Sequence, residues 1–149
     1  MAQITKYTGI KNLYFNRILY EIIKIGNLHS LEKKILDYGC GEKQLQKLLN
    51  KKIINYDINP YLSEIDNIEN VNFNIIIFNH VLMYMHKDRI AKLLDYIKSF
   101  NPNCEFIIGI GKQNFLSKIA KNITLNFDAH AGTISSHKEQ LGIIRQKMK

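Results

Sequence analysis

The 149-residue sequence predicts an α/β fold, a doubly wound, mostly parallel sheet with helices on both faces. Three observations carry that expectation. Short apolar runs alternate with stretches of helical periodicity between residues 34 and 111, the pattern of a parallel sheet with right-handed crossovers. The first two runs, Lys34 to Gly39 and Ile53 to Ile58, flank one amphipathic stretch and so form a βαβ unit. A third run, Asn74 to Asn79, carries three consecutive Ile, as in a central strand covered on both sides.

In chain order, Asn12 to Ile25 is expected as a helix ahead of the sheet. Lys34 to Gly39 is a buried strand ending in glycine, and Ile53 to Ile58 is another, closed by Asn59-Pro60. Between them Leu45, Leu48 and Leu49 recur at i, i+3 and i+4 with Lys on the other face, giving a helix over Gln44 to Asn50. Only about 17 residues separate Asp57 from Ile75, so anything regular between them is short. Asp88 to Phe100 places Ile90, Leu93, Leu94 and Ile97 on one helical side, and Asn101-Pro102-Asn103 stops it. Glu105 to Gly111 is the next strand. Ser136 to Met148 closes the chain as a helix, with Ser136 and Glu139 spaced as a capping box.

Length and composition bound what such a chain can be. A chain of 149 residues buries roughly 70% of its unfolded surface, enough for an unaided core, and one domain over 1–149 is expected. The longest apolar stretch, Ile75 to Met85, is interrupted by Asn79 and His80, so no membrane span is expected. The opening residues lack the apolar core of a signal peptide, and cytoplasmic residence is the expectation. Cys40 and Cys104 give neither a disulfide framework nor metal-ligand spacing. The formal charge of +8 is uneven: +4 over residues 1–34, −1 over 35–111 and +5 over 112–149. With 18 Lys to 3 Arg, backbone binding of a nucleic acid is favoured over base reading. The same Lys excess, beside 25 Ile and 16 Asn, also follows from an AT-rich coding bias.

Chemistry is concentrated where the first strand ends. Asp37-Tyr38-Gly39-Cys40-Gly41-Glu42-Lys43 is a turn with two glycines, positions where a side chain would block a ligand or where φ turns positive. In open parallel sheets ligands bind beyond the carboxyl ends of the strands. Asp57 closes the second strand 16 residues after Gly41, placed to accept both hydroxyl hydrogens of a ribose. A dinucleotide fingerprint would need glycine where Gln44 stands. Asp37 would also set a negative charge against a pyrophosphate. The same acid suits a ligand carrying a cation.

These residues resemble the class I S-adenosylmethionine-dependent methyltransferases, particularly the methyltransferase type 11 group. The resemblance rests on Ile35-Leu36-Asp37-Tyr38-Gly39-Cys40-Gly41, on Tyr56-Asp57-Ile58-Asn59-Pro60, and on Phe73 to Met85, and it covers about residues 30 to 111. It implies a Rossmann-like sheet abbreviated at its C-terminal strands, methyl transfer from S-adenosyl-L-methionine to an unidentified acceptor for which an anion is one option, and no metal. It further implies that Asp37, Tyr38, Gly39, Cys40 and Gly41 hold the methionine part and Asp57 the ribose. Ile58 would pack on the adenine, and Asn79 and His80 would line the cofactor's far side. Within that frame residues 1–30 are a helical cap, 31–111 the cofactor-binding core and 112–149 a basic segment on the substrate side.

The pattern is departed from at Lys43, where the third glycine of the first motif is usual, and at Asn74, where Asp is common. The acid that binds the adenine amine has Asp66 and Glu69 as candidates. Two further strands usual in the family are not evident before Lys149; a fifth strand left at a sheet edge would then suit a homodimer. The Asn-Pro-Pro-aromatic motif of nucleic-acid amino methylation is not matched by Asn79-His80-Val81-Leu82, which disfavours a nucleobase amine as acceptor. Candidates for a catalytic role are His80, Tyr84 and His130, the last beside Asp128; each is equally read as a packed or loop-bound side chain. Tyr14 and Arg17 either cap the cofactor site or cover the sheet. A second expectation is a non-catalytic cofactor-binding module that docks a protein or nucleic acid through its basic flanks.

Overall fold

A computed structural model describes residues 10–30, 32–110 and 133–148. Helix α1, Ile10–Ile25, leads into strand β1, Ile35–Tyr38; helix α2, Gln44–Leu49, leads into β2, Ile54–Tyr56. A 3-10 turn at Ile68–Asn70 precedes β3, Ile75–Asn79, and a second at Leu82–Tyr84 precedes helix α3, Lys87–Phe100. Strand β4 is Glu105–Gly109 and helix α4 is His137–Lys147. The expected elements are all there, each within a few residues of its expected ends, and the 57–74 segment holds only the 3-10 turn. The four strands form one all-parallel sheet in the order β2-β1-β3-β4, a Rossmann-like arrangement.

The described chain divides into two compact units, one running to Asn79 and including Ile97–Gly109, the other comprising His80–Tyr96 and the residues from Ile110 on. In the first unit successive strand residues face opposite sides of the sheet. Ile35, Ile75, Ile77 and Ile107 join Leu19, Ile22 and Ile23 of α1 and Leu45 and Leu49 of α2 in one core cluster. Leu36, Ile76 and Phe78 turn to the other side and are wholly buried. Each such side chain contributes roughly 1.5–3 kcal/mol by leaving water, which is why β3, buried along Ile75–Phe78, sits inside the sheet.

Asn74, at a position where the family commonly has Asp, aligns the strand starts. Its side-chain oxygen accepts from Lys34 N at 2.8 Å, its N–H donates to Lys34 O at 3.0 Å, and its carbonyl accepts from Glu105 N at 2.9 Å. An uncharged acceptor suffices for that task. In the second unit Ile134 N and Ser135 N donate to Met83 O at 2.7 and 3.2 Å, and Ser135 Oγ donates to Leu82 O at 3.1 Å. Helix α4 begins with the expected capping box between Ser136 and Glu139. Among the described residues no helix is long and apolar enough to cross a membrane.

Candidate cofactor site

The carboxyl ends of β1 and β2 meet in a turn whose geometry explains its composition. Gly39 has φ 80° and Gly41 φ 51°, the left-handed region where a side chain is strained. Gly39 N and Cys40 N both donate to Tyr56 O, at 2.8 and 3.1 Å, so the turn folds back on the last residue of β2. A Cβ added at Gly41 would meet nothing within 4 Å, so the backbone there borders open space.

Asp57 is the fastener of this turn. One carboxylate oxygen accepts from Gly41 N at 3.0 Å and the other from Asn59 N at 2.9 Å. A carboxylate offers about four lone-pair positions, and these two bonds leave capacity for hydroxyl donors. Sequence spacing indicated the acid at the strand end; it did not indicate that the acid also holds the glycine turn.

Asp37 lies in β1 with 5% of its surface exposed. Burial, and secondarily the negative charge of Asp57, push its carboxyl from the ordinary 3.8 up to about 7. At neutral pH it is poised between forms, and a cation placed beside it would restore the carboxylate. The Cys40 thiol is buried too, with Sγ 3.7 Å from Leu62 O, and burial followed by the charges of Asp37 and Asp57 raises it to about 12. It is a packed thiol, not a nucleophile. Tyr38 extends away from Asp37, its ring 4.8 Å from Tyr56 and 4.9 Å from Phe78, so its backbone is what borders the turn.

Lys43 adopts φ 60°, so the residue standing where the third glycine is usual keeps a glycine-like backbone. That costs on the order of 1–3 kcal/mol in a non-glycine residue. A network missed by sequence reasoning offsets part of it. Lys43 Nζ donates to Glu64 at 2.8 Å, and the Lys43 ammonium lowers the Glu64 carboxyl. Glu64 also accepts at 3.1 Å from the amide of Asn55, which is wholly buried in β2 and bonds Gln46 of α2 at 2.7 Å. Only the fold brings these four residues together. Sequence spacing carried no signal for them.

Ile58 is 75% exposed beside Asp57, an apolar surface open to a ligand. Asn79 ends β3 opposite Gly109 of β4, and its side-chain oxygen is buried with no hydrogen-bond donor among the described residues. Gly109 makes room for it, since a Cβ there would lie 2.7 Å from that oxygen and 3.3 Å from Ile22. Gly109→Ala is expected to displace the Asn79 carboxamide and to destabilise the protein by about 1–3 kcal/mol through overpacking; urea unfolding measures it.

His80 and Tyr84 belong to the second unit. His80 has φ 58°, an uncommon backbone state for this residue, and burial raises the Tyr84 hydroxyl above its ordinary range. Asp128 and His130 lie outside the described residues, as does the side chain of Tyr14. Arg17 is exposed on α1, and Asp66 and Glu69 are exposed between β2 and β3.

Three lysines of the basic flank over residues 1–34 stand away from the glycine turn. Lys33 and Lys34 immediately precede β1 and Lys24 is in the last turn of α1, so these lysines sit at the amino ends of the strands, opposite the glycine turn. The reason is topological: α1 runs down to the amino end of β1, and only the following strand climbs to the turn.

Neither a protein-family model nor a curated protein sequence matches the chain, so likeness to known proteins lies in the structure. It matches the small RNA methyltransferase HEN1 with a TM-score of 0.65 at 14% identity, covering 99% of this chain and 23% of that one. The fold is that of the class I methyltransferases. Magnesium protoporphyrin IX methyltransferase from Synechocystis PCC 6803, which holds S-adenosylhomocysteine, matches at 0.56 with 11% identity over 96% of this chain and 78% of that one. An S-adenosylmethionine-dependent methyltransferase from Thermotoga maritima, described as a possible histamine N-methyltransferase, matches at 0.55 with 16% identity, over 91% and 73% of the two chains. The chain thus spans about a quarter of the length of the first of these class I neighbours.

Proposed function

We propose that this class I domain binds S-adenosyl-L-methionine at the carboxyl ends of β1 and β2 and transfers its methyl group to an acceptor. The observation that carries the reading is the Asp37–Gly39–Gly41–Asp57 turn, built at the end of the sheet where such folds take ligands. The residues fit the cofactor. A buried carboxyl held near 7 is the seat for an ammonium. The open space over Gly41 admits a ligand against the backbone. Asp57 keeps lone pairs for ribose hydroxyls while fastening the turn. Ile58 offers the exposed apolar surface an adenine needs, and the Asn79 oxygen, without a donor among the described residues, can accept one from the ligand.

When bound, S-adenosyl-L-methionine supplies an electrophilic methyl on a sulfonium, whose departing thioether needs no proton. The chain's task is then to orient the ligand and exclude water, and alignment of this kind is worth up to ~7–11 kcal/mol. A general base is required only for a poorly nucleophilic acceptor and adds roughly 100- to 10,000-fold.

Isothermal calorimetry with S-adenosyl-L-methionine and S-adenosylhomocysteine tests the reading. Both are expected to bind a folded sample and NAD to fail to compete. Absence of heat with both ligands, from protein shown to be folded, would overturn it.

A further inference from the structure

The first unit is electrically polarised along its strands. At the carboxyl end stand Asp37, Glu42, Asp57 and Glu64 with Lys43, itself paired to Glu64. The amino end collects Lys24 from α1, Lys33 and Lys34 before β1, Lys47 from the last turn of α2, and Lys51 and Lys52 before β2. The acids adjoining those segments are Glu21, exposed one turn before Lys24 on α1, Glu32 and Glu105, and Glu105 is engaged by Lys33 at 3.5 Å. A coding bias toward Lys adds charge everywhere; it does not sort it to one end.

The lysines also stand on a fixed base. Lys51 Nζ donates to Ser30 O at 2.6 Å, Lys33 O at 3.1 Å and Leu28 O at 3.4 Å, tying the α1–β1 loop to the α2–β2 loop. Lys33 Nζ donates to Gly26 O at 2.6 Å in the same loop. With Lys33 and Lys51 spent on this scaffold, Lys24, Lys34, Lys47 and Lys52 are left as exposed ammonium groups.

We propose that this amino-terminal face binds the phosphate backbone of a nucleic acid, independently of sequence and independently of the cofactor reading. Point-charge ammonium groups neutralise phosphates without reading bases, a task for which arginine's fork is preferred. A bilayer would call for an apolar wedge. Among the described side chains of α1, the exposed large apolar residues beside these lysines are Tyr20 and Ile25.

The test is fluorescence anisotropy with labelled 20-base-pair duplexes of two unrelated sequences, from 50 to 200 mM salt. Both duplexes should bind alike. Engagement of four lysines gives a log K against log salt slope of roughly −3 to −4. The quadruple substitution Lys24→Glu, Lys34→Glu, Lys47→Glu and Lys52→Glu should lower affinity at least 100-fold and flatten the slope, while S-adenosylhomocysteine binding by calorimetry, where present, is unchanged. No duplex binding by the wild type at 50 mM salt would overturn the proposal and leave the cofactor reading intact. So would unchanged binding in the folded quadruple variant, or tighter association with phosphatidylserine vesicles than with duplex.

Discussion

Replacing Asp37 by Asn is expected to stabilise the ligand-free protein at pH 8 while removing its affinity for S-adenosyl-L-methionine. The sign follows from the raised carboxyl. In the unfolded chain Asp37 loses its proton near 3.8, whereas in the fold it keeps it up to about 7. Between those values the folded state binds more protons, so its stability falls as pH rises, and the loss is complete once pH passes the folded value. At 1.36 kcal/mol per pH unit the loss amounts to about 4 kcal/mol. The Asn variant has no such term. Its stability relative to wild type should therefore grow by about 4 kcal/mol between pH 4 and pH 8, measured by urea unfolding at each pH. Ligand binding runs the other way. An ammonium deprived of its buried carboxylate forfeits roughly 2–5 kcal/mol, at least 30-fold in affinity. A residue whose removal strengthens the fold and silences the site is what a ligand seat predicts, since sites are kept at a cost to stability.

The second large effect is expected at Asp57. Alanine there removes the acceptor for both Gly41 N and Asn59 N. Hydrogen bonds to a charged acceptor are worth about 1.5–3 kcal/mol each. The glycine turn then loses its fastening as well as its proposed ribose contact, and S-adenosylhomocysteine affinity should fall at least 100-fold by calorimetry. Asp57→Asn separates the two contributions. It keeps one oxygen acceptor but removes the charge that helps raise Asp37, so the pH at which wild-type stability levels off should move down from about 7. An unchanged profile would show that burial alone sets the Asp37 carboxyl.

Much of this site could be read along the chain because its parts are local. Ile35–Tyr38 and the two glycines after it form a continuous strand and turn, and Asp57 falls at the end of the next strand. Alternation and apolar runs sufficed for the four strands because each is short, β1 and β3 being almost wholly buried and the edge strands β2 and β4 partly so. What stayed hidden depends on pairing across the sequence. The Lys43–Glu64–Asn55–Gln46 network joins α2 to β2 and the segment after it. The space that Gly109 leaves for Asn79 follows from a β3–β4 register that no local pattern encodes. The place of the basic flank stayed hidden for a related reason. Its charge could be counted from the sequence, but the end of the sheet that carries it is set by the direction of α1 and β1.

The strand order β2-β1-β3-β4 puts Asp57 beside the glycine turn and Asn79 on the strand that pairs β1 from the other side. The candidate site is therefore assembled from the ends of three neighbouring strands. Placement on neighbouring strands suits the proposed methyl transfer, in which catalysis is alignment more than proton transfer.

The most direct measurement is the proton balance of cofactor binding. Calorimetric titration of S-adenosyl-L-methionine at pH 6, in two buffers of different ionisation enthalpy, reports protons exchanged per ligand bound. If the ammonium displaces the proton held by Asp37, about 0.9 proton leaves the complex at that pH, and affinity rises about ninefold from pH 5 to 6 and about fivefold from pH 6 to 7. Binding with no proton release and no pH dependence between 5 and 7 would contradict the account.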